Sequence, residues 1–141
     1  MNIVYVRGNL FSTDNDVSLA HCVSQDMKMR MGIAAQFRNT FGNVDELKNQ
    51  NKRVGEVAYL ELQNRCIFNL ITKVRYSDKP NYHDVRTSLT NLRLLCDHLE
   101  ITKLAMPKIA CGLDKLSWSI IENIIKATFS GSRITISVYY L

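Results

Sequence analysis

The sequence predicts an α/β protein, a three-layer α/β/α sandwich around a mixed central sheet. Three observations carry that expectation. Short β-branched or apolar runs alternate along the chain with segments whose apolar residues recur every three or four positions. The resulting order, β β α (α) β β α β α β, places helices on both faces of one sheet. The two middle strands adjoin each other across Gln63-Asn64, which makes at least one pair antiparallel.

Each element has a local reason. Asn2 to Val6 is β-branched and aromatic, a strand ended by Gly8-Asn9-Leu10. Polar Ser12 to Asp16 makes a loop, and Val17 to Val23 a second strand with His21 inside it. Ser24 to Arg30 is a Met-rich loop before a helix over Met31 to Phe41, where Ile33, Ala34, Phe37 and Phe41 share a face and Gly42 can end it. Val44 to Asn51 has room for another turn or two. Gly55 to Leu62 and Arg65 to Ile71 read as paired strands.

A polar connection, Arg75 to Asn81, leads to a long helix from Tyr82. Val85, Leu89, Leu92, Leu95 and Leu99 form its apolar stripe. Lys103 to Met106 is a strand. Ser117 is a suitable N-cap for a helix over Trp118 to Phe129, with Ile120, Ile121, Ile124 and Ile125 expected inward. Gly131-Ser132 turns the chain into a last strand, Arg133 to Leu141.

Composition narrows the class. With 141 residues, 46% hydrophobic and 22% charged, the chain suits one domain over residues 1–141 and is too apolar for a disordered one. Lys and Arg number 18 against 13 Asp and Glu, and the net charge of +5 favours anionic partners. Cys22, Cys66, Cys96 and Cys111 form no CxxC pair, and no zinc-ligand spacing joins them to His21, His83 or His98. No metal or cofactor is expected. Free buried thiols suit a reducing compartment, so an intracellular protein of cytoplasm or nucleus is expected, without leader, membrane span or targeting tail. A monomer is expected. No GxGxxG, Walker loop or HExxH is found, which speaks against dinucleotide dehydrogenases, P-loop NTPases and zinc proteases.

The chemistry centres on the stretch Leu104 to Asp114, where a strand runs into the loop Pro107 to Asp114 and a helix follows. Such a unit offers backbone N–H groups and a helix N-terminus to a phosphate. Ligands in sheets of this kind sit outside the carboxyl ends of the strands. The loops Gly8 to Leu10, Ser24 to Ile33 and Pro107 to Asp114 are therefore expected on one cleft. Lys73 closes the apolar run Phe68 to Thr72, where partial loss of hydration would free an amine nucleophile; a solvated lysine ending a strand is the alternative. Asp114 suits a general base, or simply the start of a helix. Cys111 reads as a backbone-positioning residue before a nucleophile, because it has no basic partner in sequence. His21 reads as a core histidine, and Tyr139-Tyr140-Leu141 either stacks on a base or packs on a helix.

Taken together, several blocks resemble macrodomains of the terminal ADP-ribose protein glycohydrolase type, the ALC-like branch. They are Gly8-Asn9-Leu10-Phe11, Ser18-Leu19-Ala20-His21-Cys22, Gly32-Ile33-Ala34, Phe41-Gly42, Gly55-Glu56-Val57-Ala58, Leu70-Ile71-Thr72-Lys73, Lys79-Pro80, Met106-Pro107 and Cys111-Gly112-Leu113-Asp114. The resemblance implies that Lys73 attacks the anomeric carbon of the distal ribose and displaces a glutamate or aspartate ester. Asp114 then assists release of ADP-ribose, and the same pair suits deacylation of O-acyl-ADP-ribose.

By the same resemblance, Asn9 and Leu10 meet the adenine, Tyr139 and Leu141 close over it, and Ser24 lies near the adenosine. Lys108, Ile109, Ala110, Cys111, Gly112 and Leu113 wrap the diphosphate and distal ribose. Gly32, Ile33 and Ala34 line the opposite wall. Expected partners are ADP-ribose and mono-ADP-ribosylated proteins, with ADP-ribosylated nucleic acid as a further option. A non-catalytic ADP-ribose reader and a hydrolase of ADP-ribose 1″-phosphate are the other readings.

Three positions depart from the family pattern. Asn9 replaces an aspartate and can still accept a hydrogen bond through its oxygen. Arg30, followed by Met31, replaces a glycine, and its guanidinium either contacts phosphate or crowds the distal ribose. Ala110 replaces another glycine, at a cost on the order of 1 kcal/mol if φ is positive there.

Overall fold

A computed structural model describes all 141 residues. The elements follow the expected order: β1 (Asn2–Arg7), a 3-10 turn (Leu10–Ser12), β2 (Ser18–Ser24), α1 (Gly32–Phe41), α2 (Val44–Asn49), β3 (Val57–Glu61), β4 (Cys66–Lys73), α3 (Tyr82–His98), β5 (Lys103–Pro107), α4 (Trp118–Thr128) and β6 (Thr135–Tyr140). The six strands form one sheet in the order β1-β6-β5-β2-β4-β3. Every neighbouring pair is parallel except β3 and β4. The parallel strands therefore end at one edge of the sheet, in the sequence Lys73, Ser24, Pro107, Tyr140, Arg7.

The pleat sorts the central strands between two apolar layers, because successive side chains point to opposite faces. Cys66, Phe68 and Leu70 of β4 join Leu104 and Met106 of β5 beneath α3 and α4. Ile67 and Ile71 of β4 join Leu19, Val23 and Ala105 on the other face, with Phe37 of α1 and Leu47 of α2. β4 extends two residues past the expected end at Ile71, so Thr72 and Lys73 belong to the strand. It is buried on both faces up to Thr72, which removes the alternation that marks a strand's limits in sequence.

Two helix faces differ from expectation. Ile120 is 43% exposed rather than inward, because it lies about 100° round the helix from Ile121, at the rim of the face that Ile121, Ile124 and Ile125 bury. On α3 the buried face is Val85, Ser88, Leu89, Leu92 and Cys96, while Leu95 and Leu99 are half-buried. Ser117 stands at the N-cap of α4, but its side chain bonds no helix N–H; its Oγ lies 3.1 Å from that of Ser119.

Candidate active site

A cavity of about 290 Å³ opens at the strand ends. One wall is the start of α1, with Gly32, Ile33 and Ala34 preceded by Arg30 and Met31. The other is the loop after β5, with Lys108, Ile109, Ala110, Gly112 and Leu113. Ser24 and Cys22 of β2 form its floor, and Lys73 and Asp114 close one end together with Tyr76. Leu113 Cδ1 stands 3.4 Å from the position a Cβ on Gly32 would occupy, so the two walls meet there.

Lys73 and Asp114 are brought together from opposite sides of the chain. Lys73 Nζ donates to Asp114 Oδ1 at 2.8 Å, and the two side chains are only 14% and 17% exposed. Asp114 is not a helix-start residue, since α4 begins four positions later and has no acidic residue in its first turn. Its placement is owed to the loop. Leu116 N donates to Ala110 O at 2.9 Å, and Lys79 Nζ donates to Leu113 O at 3.1 Å.

The helix N-terminus that serves the cavity is that of α1, not α4. Met31 at the N-cap of α1 supplies no side-chain hydrogen bond, which leaves the N–H groups of Gly32, Ile33 and Ala34 for a ligand. Ser117 likewise caps no N–H of α4, but no residue at the start of that helix lines the cavity. Two residues between β5 and α4 are left-handed, Ala110 with φ 60° and Lys115 with φ 62°, whereas Gly112 keeps a negative-φ backbone. The substituted alanine thus occupies a position where glycine would relieve strain.

The loop leaving β2 is held by residues that sequence reading passed over. Ser24 Oγ donates to Asp26 Oδ1 at 2.5 Å, and Tyr76 N donates to Asp26 Oδ2 at 2.9 Å. Burial raises the Asp26 carboxyl, but these hydrogen bonds and the one from Lys28 N outweigh it and hold the group below the usual range. Gln25 N donates to Lys73 O at 2.8 Å. The signal in sequence was faint, a single acid two residues after Ser24.

His21 is a core histidine. Its ring stacks on Phe37 with centroids 3.7 Å apart, and Nε2 lies 2.6 Å from Asn69 Oδ1. Asn69 Nδ2 donates to Ala58 O, which fixes Oδ1 as the acceptor and Nε2–H as the donor. Nδ1 is buried without a partner. Burial pulls the ring down to about 3, so it stays neutral and gives Cys111 no basic partner. Burial also pushes the Cys111 thiol up, against the pull of Lys108 and with the push of Asp114. The Cys22 thiol is raised by burial, Asp114 and Cys111. Neither has thiolate character.

Five other expected contact residues lie outside the cavity lining. Cys111 is one of them. Asn9 Oδ1 accepts from Phe11 N at 2.9 Å and caps the 3-10 turn. Leu10 is 3% exposed in the core beneath α1, and Tyr139 packs against the same cluster. Leu141 is 94% exposed.

Comparison with known proteins decides the family. The ADP-ribose glycohydrolase OARD1 of Bos taurus is 46% identical over 139 residues, covering 99% of this chain and 91% of its own. The chain belongs to the OARD1 family. No family model matches it. The fold of this OARD1-family chain is that of macrodomains. The macrodomain of Thermus aquaticus DarG superposes with a TM-score of 0.88 over 99% of this chain and 98% of that one, at 23% identity. Thermosipho africanus DarTG in complex with ADP-ribose gives a TM-score of 0.85 at 20% identity, over 98% of this chain and 41% of that one.

Proposed function

We propose that the protein is an ADP-ribose glycohydrolase that frees ADP-ribose from glutamate and aspartate esters and deacylates O-acyl-ADP-ribose. The observation that carries this reading is the Lys73–Asp114 pair at the closed end of the cleft. Kinship with a protein named an ADP-ribose glycohydrolase supports the glycohydrolase activity.

The diphosphate lies against the free N–H groups of α1 and the backbone of residues 108–113. The strand ends of β4, β2, β5 and β6 follow one another at about 5 Å spacing, so the cleft runs about 14 Å from Lys73 toward β6. The adenosine occupies the β6 end and the distal ribose the Lys73 end. Lys73 Nζ attacks the anomeric carbon, the C–O bond to the acyl group breaks, and the carboxylate leaves with the bonding pair. Asp114, 2.8 Å from Nζ, takes the proton that the attacking nitrogen sheds. Water then hydrolyses the lysyl–ADP-ribose adduct, which restores the amine and frees ADP-ribose. Mono-ADP-ribosylated proteins are the partners in this scheme, and the chain acts as a monomer.

The test is release of free ADP-ribose from a glutamate-linked mono-ADP-ribosylated protein. Release that disappears in Lys73→Ala and Asp114→Ala supports the scheme. ADP-ribose binding without release would make the protein a reader instead.

A further inference from the structure

A second pocket of different chemistry lies just beyond the catalytic end of the cleft. Gln25, Asp26, Lys48, Asn51, Lys52 and Arg53 line it, and none of them is apolar. Three of the six are cations, and none of the three takes part in an ion pair. Asp26, the one carboxylate, is already committed to Ser24 and to the backbone of Tyr76. The nearby Glu56 carboxylate accepts from the Arg53 backbone N at 2.8 Å rather than from its guanidinium.

The pocket is tied to the proposed nucleophile through backbone. Gln25 N donates to Lys73 O, while Gln25 Oε1 accepts from Val54 N at 3.2 Å, in the turn that carries Lys52 and Arg53. That turn reverses at Asn51, which has φ 54°. Three cations face the single carboxylate of Asp26 in the cup, so it is net positive, and none of the three is held in an ion pair within the chain. An external anion would balance that charge.

Direction identifies the anion. With ADP-ribose lying over β2, β5 and β6, the acyl group departs past the end of β4, on the side of β3. There the polypeptide that bears the ester must cross the surface, and there the three cations stand. The pocket has no aromatic ring on which a base could stack, and its charges form one cup rather than a stripe along a strand.

We infer that the Lys48–Lys52–Arg53 pocket is a subsite for the protein part of the substrate, and that it takes an acidic side chain flanking the modified glutamate or aspartate. This rests on the hydrolase reading above.

The experiment uses two synthetic peptides, each with one glutamate-linked ADP-ribose. One carries Glu and Asp within three residues of the linkage, the other Ser and Gln. Both are compared with O-acetyl-ADP-ribose, which has no polypeptide. The wild type is expected to favour the acidic peptide by about 5–20-fold in kcat/KM, mainly through KM, as for a few exposed ion pairs. Raising salt should erode that preference. The triple variant Lys48→Gln, Lys52→Gln, Arg53→Gln should treat the peptides within about twofold of each other. Charge reversal to Glu at the three positions should invert the order. Both variants should keep O-acetyl-ADP-ribose turnover.

Equal handling of the two peptides by the wild type overturns the inference. So does an equal loss of O-acetyl-ADP-ribose turnover in the variants, which would mark a structural role. A single-stranded oligonucleotide that competes better than the unmodified acidic peptide, only in the wild type, overturns it in favour of nucleic acid. A wild type that turns over none of the three substrates overturns the hydrolase reading, and this subsite with it.

Discussion

Lys73 Nζ and Asp114 Oδ1 lie 2.8 Å apart although 41 residues separate them in the chain. The pair is largely shielded from water. Lys73→Ala should lower release of ADP-ribose by about 1,000-fold or more, since it removes the proposed nucleophile. Asp114→Asn should lower it by about 100-fold or more, the usual worth of a positioned proton acceptor. Calorimetry should find ADP-ribose binding within a few-fold of wild type in both. Unchanged turnover in Lys73→Ala would sink the mechanism.

Cys111 stands two residues from Leu113 and three from Asp114, yet burial pushes its thiol up despite the pull of Lys108. Cys111→Ser should keep turnover within about threefold. Iodoacetamide at pH 7.5 should leave the wild type active on the timescale that alkylates a free thiol, because the thiolate is scarce. Rapid inactivation with one alkylated cysteine would reinstate a thiol mechanism.

Asp26 pins the loop after β2 to the backbone beyond β4. Asp26→Ala should cut kcat/KM by about 10-fold and stability by about 1–2 kcal/mol, since a charged acceptor of several hydrogen bonds is lost. Its folded carboxyl lies below the ordinary 3.8, so its contribution is present at neutral pH and fades as pH falls through and below that value. Urea titrations of the two proteins at pH 7 and pH 3.5 measure this directly. The gap between them should narrow at the lower pH.

His21 should impose a second acid dependence. Its folded value is about 3 against an ordinary 6.5, so below pH 6.5 the unfolded chain binds a proton that the folded chain refuses. Stability attributable to this group is therefore intact above pH 6.5 and lost as pH falls toward 3. Between pH 7 and pH 5.5 the wild type should lose about 1 kcal/mol, before carboxylates contribute much. His21→Gln should be less stable at pH 7 but flat over that interval. A parallel slope in both proteins would assign the loss elsewhere.

Much of this was legible in the chain. Helical periodicity and β-branched runs marked every strand and α-helix in order, though not the 3-10 turn Leu10–Ser12, because amphipathic spacing and pleat spacing are local properties. The errors fell where burial is decided by neighbours. The end of β4 was cut short because a strand covered on both faces loses its alternation, and Ile120 was turned inward because a helix rim reads like a helix face. Motif spacing marked Lys73 and Asp114 as residues of interest, with a surface lysine and a helix-start aspartate as their alternatives.

The sequence by itself determined the α/β order, the two apolar layers and two of the three loops expected on the cleft, Ser24 to Ile33 and Pro107 to Asp114; Gly8 to Leu10 lies outside its lining. Only the tertiary structure decided what those loops do. It joined Lys73 to Asp114, set the start of α1 rather than that of α4 on the cavity, and committed the Asn9 oxygen to a turn. It also set Lys48, Lys52 and Arg53 around one cup that Gln25 ties to the Lys73 backbone. The physical reason is the crossover order of the sheet. Strands that are neighbours in space here, such as β2 with β4 and β5, are far apart in sequence, and side-chain chemistry at their ends depends on distances that no local pattern encodes.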